Sequence, residues 1–205
     1  MLCKQLQQGL AELGEDPASH PCGAYLSYIE LLSKWNRTYN LTGIKTQEKM
    51  LTHHILDSLS VLPYINGCFC LDVGSGAGLP GIILALARPE HEWLLLDSNS
   101  KKIRFLNQAV LELKLDNVEV VRTRGEDYLP KQRFSTVISR ALSSLANFRN
   151  IASRLVREDG LLLAMKGTEP VQELKELGAK GVSFKLNEIK VPGINAQRHI
   201  VVMFG

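Results

Sequence analysis

The sequence predicts an α/β fold in which a mostly parallel β-sheet carries helices on both faces and follows a helical extension. Within residues 1–65, apolar residues repeat at helical spacing at 2, 6, 10 and 13 and again at 26, 29, 32 and 35. From residue 66 onward, short apolar runs typical of buried strands alternate with amphipathic segments. This alternation indicates a doubly wound parallel sheet. We therefore expect a helical extension over 1–65 and a ligand-binding sheet domain over 66–205.

The elements follow from the apolar pattern in chain order. In the extension, two helical segments flank the breaker Asp16-Pro17, and a third is predicted from Thr46 to Leu62. The pattern predicts strands at 68–73, 93–96, 118–121, 136–139, 160–165, 182–191 and 198–204, and helices at 79–87, 100–113, 144–156 and 171–177. We expect the last strand to be antiparallel to the others.

Composition and charge exclude several classes of protein. The 205 residues are 45% apolar and 22% charged, which is ordinary for a globular chain. The N-terminus lacks the apolar stretch of a signal peptide, and the cysteines lack metal-binding spacing. We expect a cytoplasmic monomer with no metal and no membrane segment. The net charge is +3, and basic residues concentrate in the middle third, which indicates either a polyanionic partner or a solvated surface.

The stretch LDVGSGAGLPG, residues 71–81, predicts a ligand-binding turn between a strand and a helix. Glycine is costly in backbone entropy, so its recurrence indicates a conformation or close approach that other residues do not allow. Asp97 ends the next predicted strand, where an acid in such a fold holds a ribose. The candidate ligand contacts of this stretch are Asp72, Gly74, Gly76, Gly78 and Leu79.

Two ligands fit this pattern. Gly76-x-Gly78-x-x-Gly81 matches a dinucleotide fingerprint, and Gly74-x-Gly76-x-Gly78 matches an S-adenosylmethionine loop. Asp72 favours the second ligand, because a carboxylate repels a pyrophosphate and attracts an ammonium or sulfonium. The remaining alternatives are a nicotinamide-dependent oxidoreductase and a non-catalytic RNA-binding module.

If the ligand is a methyl donor, the residues at the end of the fourth predicted strand indicate which kind of atom accepts the methyl group. The segment Ser139 to Leu142 lacks the Pro-Pro-aromatic stretch of amine methyltransferases, and the cysteines all precede residue 71. A ring nitrogen such as guanine N7, which needs no protein nucleophile, fits these absences. Arg140 is the candidate catalytic residue, since a guanidinium can bind a phosphate or a guanine edge. The alternative for Arg140 is an ion pair with Glu126 or Asp127.

Four further residues complete the candidates. Gly125 and Glu126 follow the third strand, close to where this fold places an adenine ring. His54 and Asp57 share a helix face, and we expect them to form a structural hydrogen-bonded pair.

Several motifs together resemble the ribosomal RNA small subunit methyltransferase G family, also called glucose-inhibited division protein B. They are KWNRTYNLT, HHILDS, LDVGSGAGLPG, LLLDSNSKKIRFL, RGEDY, VISRA, AMKG and RHIVV, and they span nearly the whole chain.

The resemblance implies a Rossmann-like, S-adenosylmethionine-dependent enzyme that methylates guanine N7 in 16S ribosomal RNA near the decoding region. It implies cofactor contacts at the following positions: Gly74, Leu79, Asp97, Gly125, Glu126 and Arg140. It also implies that Lys166 and Arg198 contact phosphate groups of the substrate RNA. That RNA is either naked or part of the small ribosomal subunit.

Overall fold

The computed structural model describes residues 1–140 and 144–204. Within these residues, one seven-stranded sheet has the order β3-β2-β1-β4-β5-β7-β6. The strands are β1 (Phe69–Val73), β2 (Glu92–Asp97), β3 (Val118–Arg122), β4 (Phe134–Arg140), β5 (Val156–Lys166), β6 (Phe184–Glu188) and β7 (His199–Phe204). Neighbours pair in parallel except at β7, which is antiparallel to both β5 and β6. The predicted sheet, including its antiparallel last strand, is confirmed.

Helices cover the sheet and form the N-terminal part of the chain. They are α1 (Leu2–Glu12), α2 (Cys22–Tyr39), α3 (Gln47–Met50), α4 (Asp57–Leu59), α5 (Gly81–Ala87), α6 (Ser100–Leu113), α7 (Leu145–Ala152) and α8 (Val171–Ala179). Short 3₁₀ turns occur at Pro17–Ser19 and Leu62–Tyr64. In the described part of the chain, none of the helices has the length and hydropathy needed to cross a membrane.

The two faces of the sheet hold separate hydrophobic clusters, because side chains alternate along each strand. In β2, Trp93 and Leu95 belong to one cluster, and Leu94 and Leu96 belong to the other. The first cluster contains residues of α1, α2, α5 and α6, and the second contains residues of α7 and α8. Helices therefore cover both faces, as a doubly wound sheet requires.

The N-terminal helices share their core with the sheet. Leu6 of α1 and Tyr28 of α2 are fully buried in the same cluster as Ile82 of α5 and Phe105 of α6. The Tyr28 and Phe105 rings meet edge to face, with their centroids 6.2 Å apart. The division into domains at residues 65 and 66 stays a prediction. The helices before it and the sheet domain after it share one hydrophobic cluster.

A π-helical segment, Leu51–Leu56, joins α3 to α4. The backbone N–H of Asp57 donates to Thr52 O, five residues back, and to His54 O. In an α-helix the acceptor would be the carbonyl of His53. The N–H of Asp57 therefore bonds to carbonyls other than that of His53.

The predicted helix at 144–156 is wrong at its C-terminal end. Helix α7 ends at Ala152, and Val156 begins β5, where it pairs with Phe134 of β4. The helical spacing of apolar residues continues past the true end because the first residue of β5 is also buried. Ala141 and Leu142, part of the segment used to infer the acceptor, lie outside the described residues.

Candidate active site

The glycine loop adopts a backbone conformation that favours glycine. Gly74, Gly76 and Gly78 have φ angles of 72°, 62° and 83°, in the left-handed region. The N–H groups of Gly74 and Ser75 both donate to Leu96 O at the end of β2, at 2.8 and 2.9 Å. The loop is therefore anchored to the neighbouring strand.

Asp97, the last residue of β2, also holds the loop. Its Oδ2 accepts from the N–H of Gly76 at 2.9 Å, and its Oδ1 accepts from the N–H of Asn99 at 2.8 Å. Lys102 Nζ lies 3.5 Å from Oδ2. One carboxylate thus joins the glycine loop to the start of α6.

Asp72 and Gly78 lie on the core side of the loop, rather than among the residues that line its cavity. Asp72 is fully buried, and its Oδ2 accepts from the N–H of Gly81 at 3.0 Å. Burial raises the pKa of the Asp72 carboxyl to about 7. A Cβ at Gly78 would lie 2.3 Å from Ile82 Cγ1 and 2.9 Å from Leu106 Cδ2. The sequence interpretation of Asp72 as a cavity carboxylate is therefore corrected: it stabilises the loop from below.

Tyr28 supports the loop from α2, which sequence reasoning missed. Its hydroxyl donates to Ala77 O at 2.6 Å, across 49 positions of the chain. Desolvation raises the pKa of this buried phenol far above its usual value. The hydroxyl therefore remains a hydrogen-bond donor at neutral pH.

Above the loop lies a cavity of about 510 Å³, which we call the glycine-loop cavity. It is lined by backbone of the loop, by the end of β2, by the segment after β3 and by the end of β4. The expected site residues that line it are Gly74, Gly76, Leu79, Asp97, Gly125, Glu126 and Arg140. The fold thus brings these residues together from four separate stretches of sequence.

The segment after β3 is held by Arg154, which sequence reasoning also missed. Its guanidinium donates to the backbone carbonyls of Gly125, Glu126 and Tyr128. A Cβ at Gly125 would lie 2.7 Å from Ile151 Cγ2, so the packing there is close. Arg154 therefore fixes the backbone of one wall of the glycine-loop cavity.

Arg140 stands at the end of β4, where the glycine-loop cavity meets a second cavity of about 390 Å³. We call the second one the Asp57 cavity. Arg140 Nη1 donates to Asp57 Oδ2 at 3.3 Å and to His53 O at 3.1 Å. The acceptor His53 O belongs to the π-helical segment, where the N–H of Asp57 bonds to other carbonyls. The alternative prediction was an ion pair between Arg140 and Glu126 or Asp127. Arg140 does form an ion pair, but its partner is Asp57.

Asp57 connects Arg140 to Arg198. Arg198 Nε donates to Asp57 Oδ1 at 2.9 Å. Asp57 is only 4% exposed, and a carboxylate buried to this extent needs charged or hydrogen-bonding partners. The two guanidinium groups, from β4 and from the residue before β7, supply them.

The predicted pairing of His54 with Asp57 is wrong. His54 Nδ1 lies 3.0 Å from His53 O, and its Nε2 lies 2.9 Å from Thr42 Oγ1. Because a carbonyl only accepts, Nδ1 carries the proton and Nε2 accepts from the Thr42 hydroxyl. Desolvation lowers the pKa of His54 to about 4, with a further contribution from Arg140, so this ring is neutral at pH 7.

Lys166 and Arg198, the two expected phosphate contacts, both line the Asp57 cavity. Lys166 Nζ lies 2.9 and 3.0 Å from the carboxylate oxygens of Glu173, in the first turn of α8. The cavity thus contains one lysine, two arginines, three histidines and one buried carboxylate. Sequence reasoning missed Glu173, whose pairing with Lys166, seven residues earlier, depends on the turn that joins β5 to α8.

Comparison with known proteins assigns the chain to a family. The family model for rRNA small subunit methyltransferase G matches residues 22–201. This chain belongs to that family. A relative from Nitrosococcus oceani, named ribosomal RNA small subunit methyltransferase G, is 50% identical over 96% of this chain and 92% of its own. A relative of the same name from Methylobacillus flagellatus is 46% identical over 98% and 97%. The oxidoreductase alternative is therefore removed.

Solved structures show the same fold at low sequence identity. A SAM-dependent methyltransferase from Aquifex aeolicus superposes with a TM-score of 0.60, at 18% identity, over 88% of this chain and 98% of that one. Fibrillarin from Aeropyrum pernix, solved with bound S-adenosyl-L-methionine, gives a TM-score of 0.54 at 14% identity, over 69% and 68%. These matches confirm the predicted Rossmann-like methyltransferase fold of this family member.

Proposed function

We propose that this protein transfers a methyl group from S-adenosylmethionine to N7 of a guanine in 16S ribosomal RNA, near the decoding region. The observation that carries the proposal is the position of Arg140, which lines two adjoining cavities. A transferase needs such a junction, because its donor and acceptor must meet within reach of one set of side chains.

The glycine-loop cavity fits the methyl donor. Asp97 is a carboxylate in the place where the fold holds a ribose, and Glu126 is available to accept from the adenine amino group. Val73, Leu79 and Ile151 add apolar surface for the ring. A volume of about 510 Å³ is within the range of small-molecule sites.

The reaction requires that donor and acceptor be positioned, and it needs no protein nucleophile. The N7 lone pair forms a bond to the methyl carbon while the carbon–sulfur bond breaks, and its electron pair goes to the sulfonium sulfur. N7 loses no proton, so no general base is needed at that atom. In our proposal Arg140 orients the acceptor at the junction, while Lys166 and Arg198 bind phosphate of the RNA strand.

The first experiment is methyl transfer from labelled S-adenosylmethionine to small subunits, and to naked 16S RNA, from cells that lack this protein. The labelled nucleoside is then identified and its position mapped. Label in 7-methylguanosine at one position supports the proposal. Label in another nucleoside, or RNA binding without transfer to either substrate, contradicts it.

A further inference from the structure

The Asp57 cavity contains a buried carboxylate beside the proposed site of transfer, and the proposed function gives that carboxylate no role. Resting on the proposed function, we propose that this cavity receives the target guanine after it leaves the RNA stack. In this proposal Asp57 accepts hydrogen bonds from guanine N1–H and the 2-amino group. Asp57 thereby selects guanine as the acceptor.

The position of the cavity supports this occupant. Arg140 and Thr42 line both cavities, so an acceptor in one adjoins a donor in the other. Enzymes that modify a base act on single-stranded nucleic acid or extrude the target base into an active-site pocket. The Asp57 cavity, at about 390 Å³, is of the size of small-molecule sites.

The lining combines apolar walls with charged groups, as a purine base requires. Ile44, Met165 and Ile189 supply apolar surface for the faces of the ring. Lys166 and Arg198 lie in the same lining, where they can meet the phosphates that flank an extruded nucleotide. A nucleotide matches this lining, because its planar base fits the apolar surface and its phosphate groups fit the basic side chains.

Asp57 retains the capacity to accept further hydrogen bonds. A carboxylate offers about four acceptor positions. Arg140 occupies one on Oδ2, and Arg198 occupies one on Oδ1. Guanine presents two adjacent donors, N1–H and the 2-amino group, that match a carboxylate. Adenine presents an N1 lone pair at the same edge, which a carboxylate repels, so the arrangement favours guanine.

The charge balance also favours a carboxylate at this place. Methylation at N7 leaves a positive charge on the guanine ring. The Asp57 carboxylate lowers the positive potential of the two guanidinium groups that it pairs with, so the new charge develops beside less positive charge than the arginines alone would give. His54 faces the same cavity and stays neutral at pH 7, so it adds no further positive charge.

The test uses full-length protein and 16S RNA ligated with guanosine or inosine at the mapped position. Inosine keeps N7 and N1–H and lacks the 2-amino group. In wild type, kcat/KM for inosine should fall by roughly ten-fold or more, as expected for a hydrogen bond to a charged acceptor. Equal values for the two bases would overturn the proposal without any variant.

Asp57→Asn then assigns the selectivity to this residue. Its preference for guanosine over inosine should fall towards one, while its Kd for S-adenosylmethionine stays that of wild type. Asp116→Asn makes the same chemical change at an exposed position and should keep the preference. If Asp57→Asn lowers both rates equally, Asp57 only holds the arginines and the inference is wrong. If wild type fails to label guanosine, the proposed function fails, and this inference with it.

Discussion

The glycine-loop cavity and the Asp57 cavity meet at Arg140 but are built in different ways. The loop on one side of the first is held by hydrogen bonds of its backbone to Leu96, Asp97 and Tyr28. The second contains an ion-pair cluster of side chains, with Asp57 joined to Arg140 and Arg198 across 83 and 141 positions of the chain. Hydrogen bonds to the backbone of one loop thus organise the first, and ion pairs between distant side chains organise the second.

This difference predicts how the two cavities respond to substitution. Backbone contacts survive most changes of side chain, so the glycine-loop cavity depends on the few residues that fix its loop. The Asp57 cavity depends on an ion-pair cluster, in which removal of one member affects the others. Substitutions in the first should change cofactor affinity, and those in the second should change the use of RNA.

Arg140→Ala should have the largest effect, because Arg140 belongs to both cavities. We expect single-turnover methyl transfer to fall by about 100- to 1000-fold, the usual loss for a positioned charged donor. The free energy of unfolding should change by less than the free energy of activation for methyl transfer, since Asp57 keeps Arg198 as a partner. Arg140→Lys, which keeps the charge without the fork geometry, should recover part of the rate. Full turnover in the alanine variant would remove Arg140 from the site.

Asp97→Ala should act on the glycine-loop cavity alone. We expect the Kd for S-adenosylmethionine to rise by roughly 10- to 100-fold, because the variant loses the proposed ribose acceptor and the bond to the N–H of Gly76. Calorimetric titration measures the Kd, and the affinity for 16S RNA serves as the internal control. An unchanged Kd would refute the ribose role.

Asp72→Asn should change the pH dependence of stability. The folded pKa of Asp72, about 7, is above its ordinary value, so the native protein keeps this proton over a pH range in which the unfolded chain has released it. The wild-type free energy of unfolding should therefore fall from about pH 4 to pH 7, relative to Asp72→Asn, by at most about 1.4 kcal/mol per pH unit. Urea unfolding at several pH values measures this difference. Parallel curves would show that Asp72 is already ionised.

Lys166→Ala should give the smallest effect, confined to the Asp57 cavity. We expect the slope of log K for RNA binding against log salt to decrease in magnitude by about one, as for the loss of a single phosphate contact. Lys4→Ala, at an exposed position on α1, is the matched control and should leave the slope unchanged. Equal slopes for wild type and Lys166→Ala would exclude the phosphate contact.

The sequence allowed the sheet and the glycine loop to be predicted, because both depend on local pattern. Strand alternation, the glycines of residues 74–81 and the acid that ends β2 are all readable within short windows. The Asp57 cluster could not be predicted in the same way. Asp57 was recognised as a polar residue with a partner, but helical spacing pointed to His54, three residues before it. Its actual partners become neighbours only when β4 and β7 take their places in the sheet.

Asp72 shows a second limit of sequence reasoning. The sequence pattern places a carboxylate beside the loop. A residue at the end of a strand can point towards the cavity or towards the core, and the pattern does not say which. Only the structure shows that Asp72 lies below the loop, where burial raises its pKa and its oxygen holds Gly81. The same limit applies to Gly78, whose missing side chain makes room for Ile82 and Leu106.

The π-helical segment at Leu51–Leu56 sets the direction in which Asp57 faces. A π turn is what an α-helix becomes when it accommodates one inserted residue. Deletion of a residue from this segment would restore the α-helical period and rotate Asp57 by about 100° about the helix axis, relative to the residues before the segment. The position of Asp57 between Arg140 and Arg198 therefore depends on the number of residues in this segment as well as on their side chains.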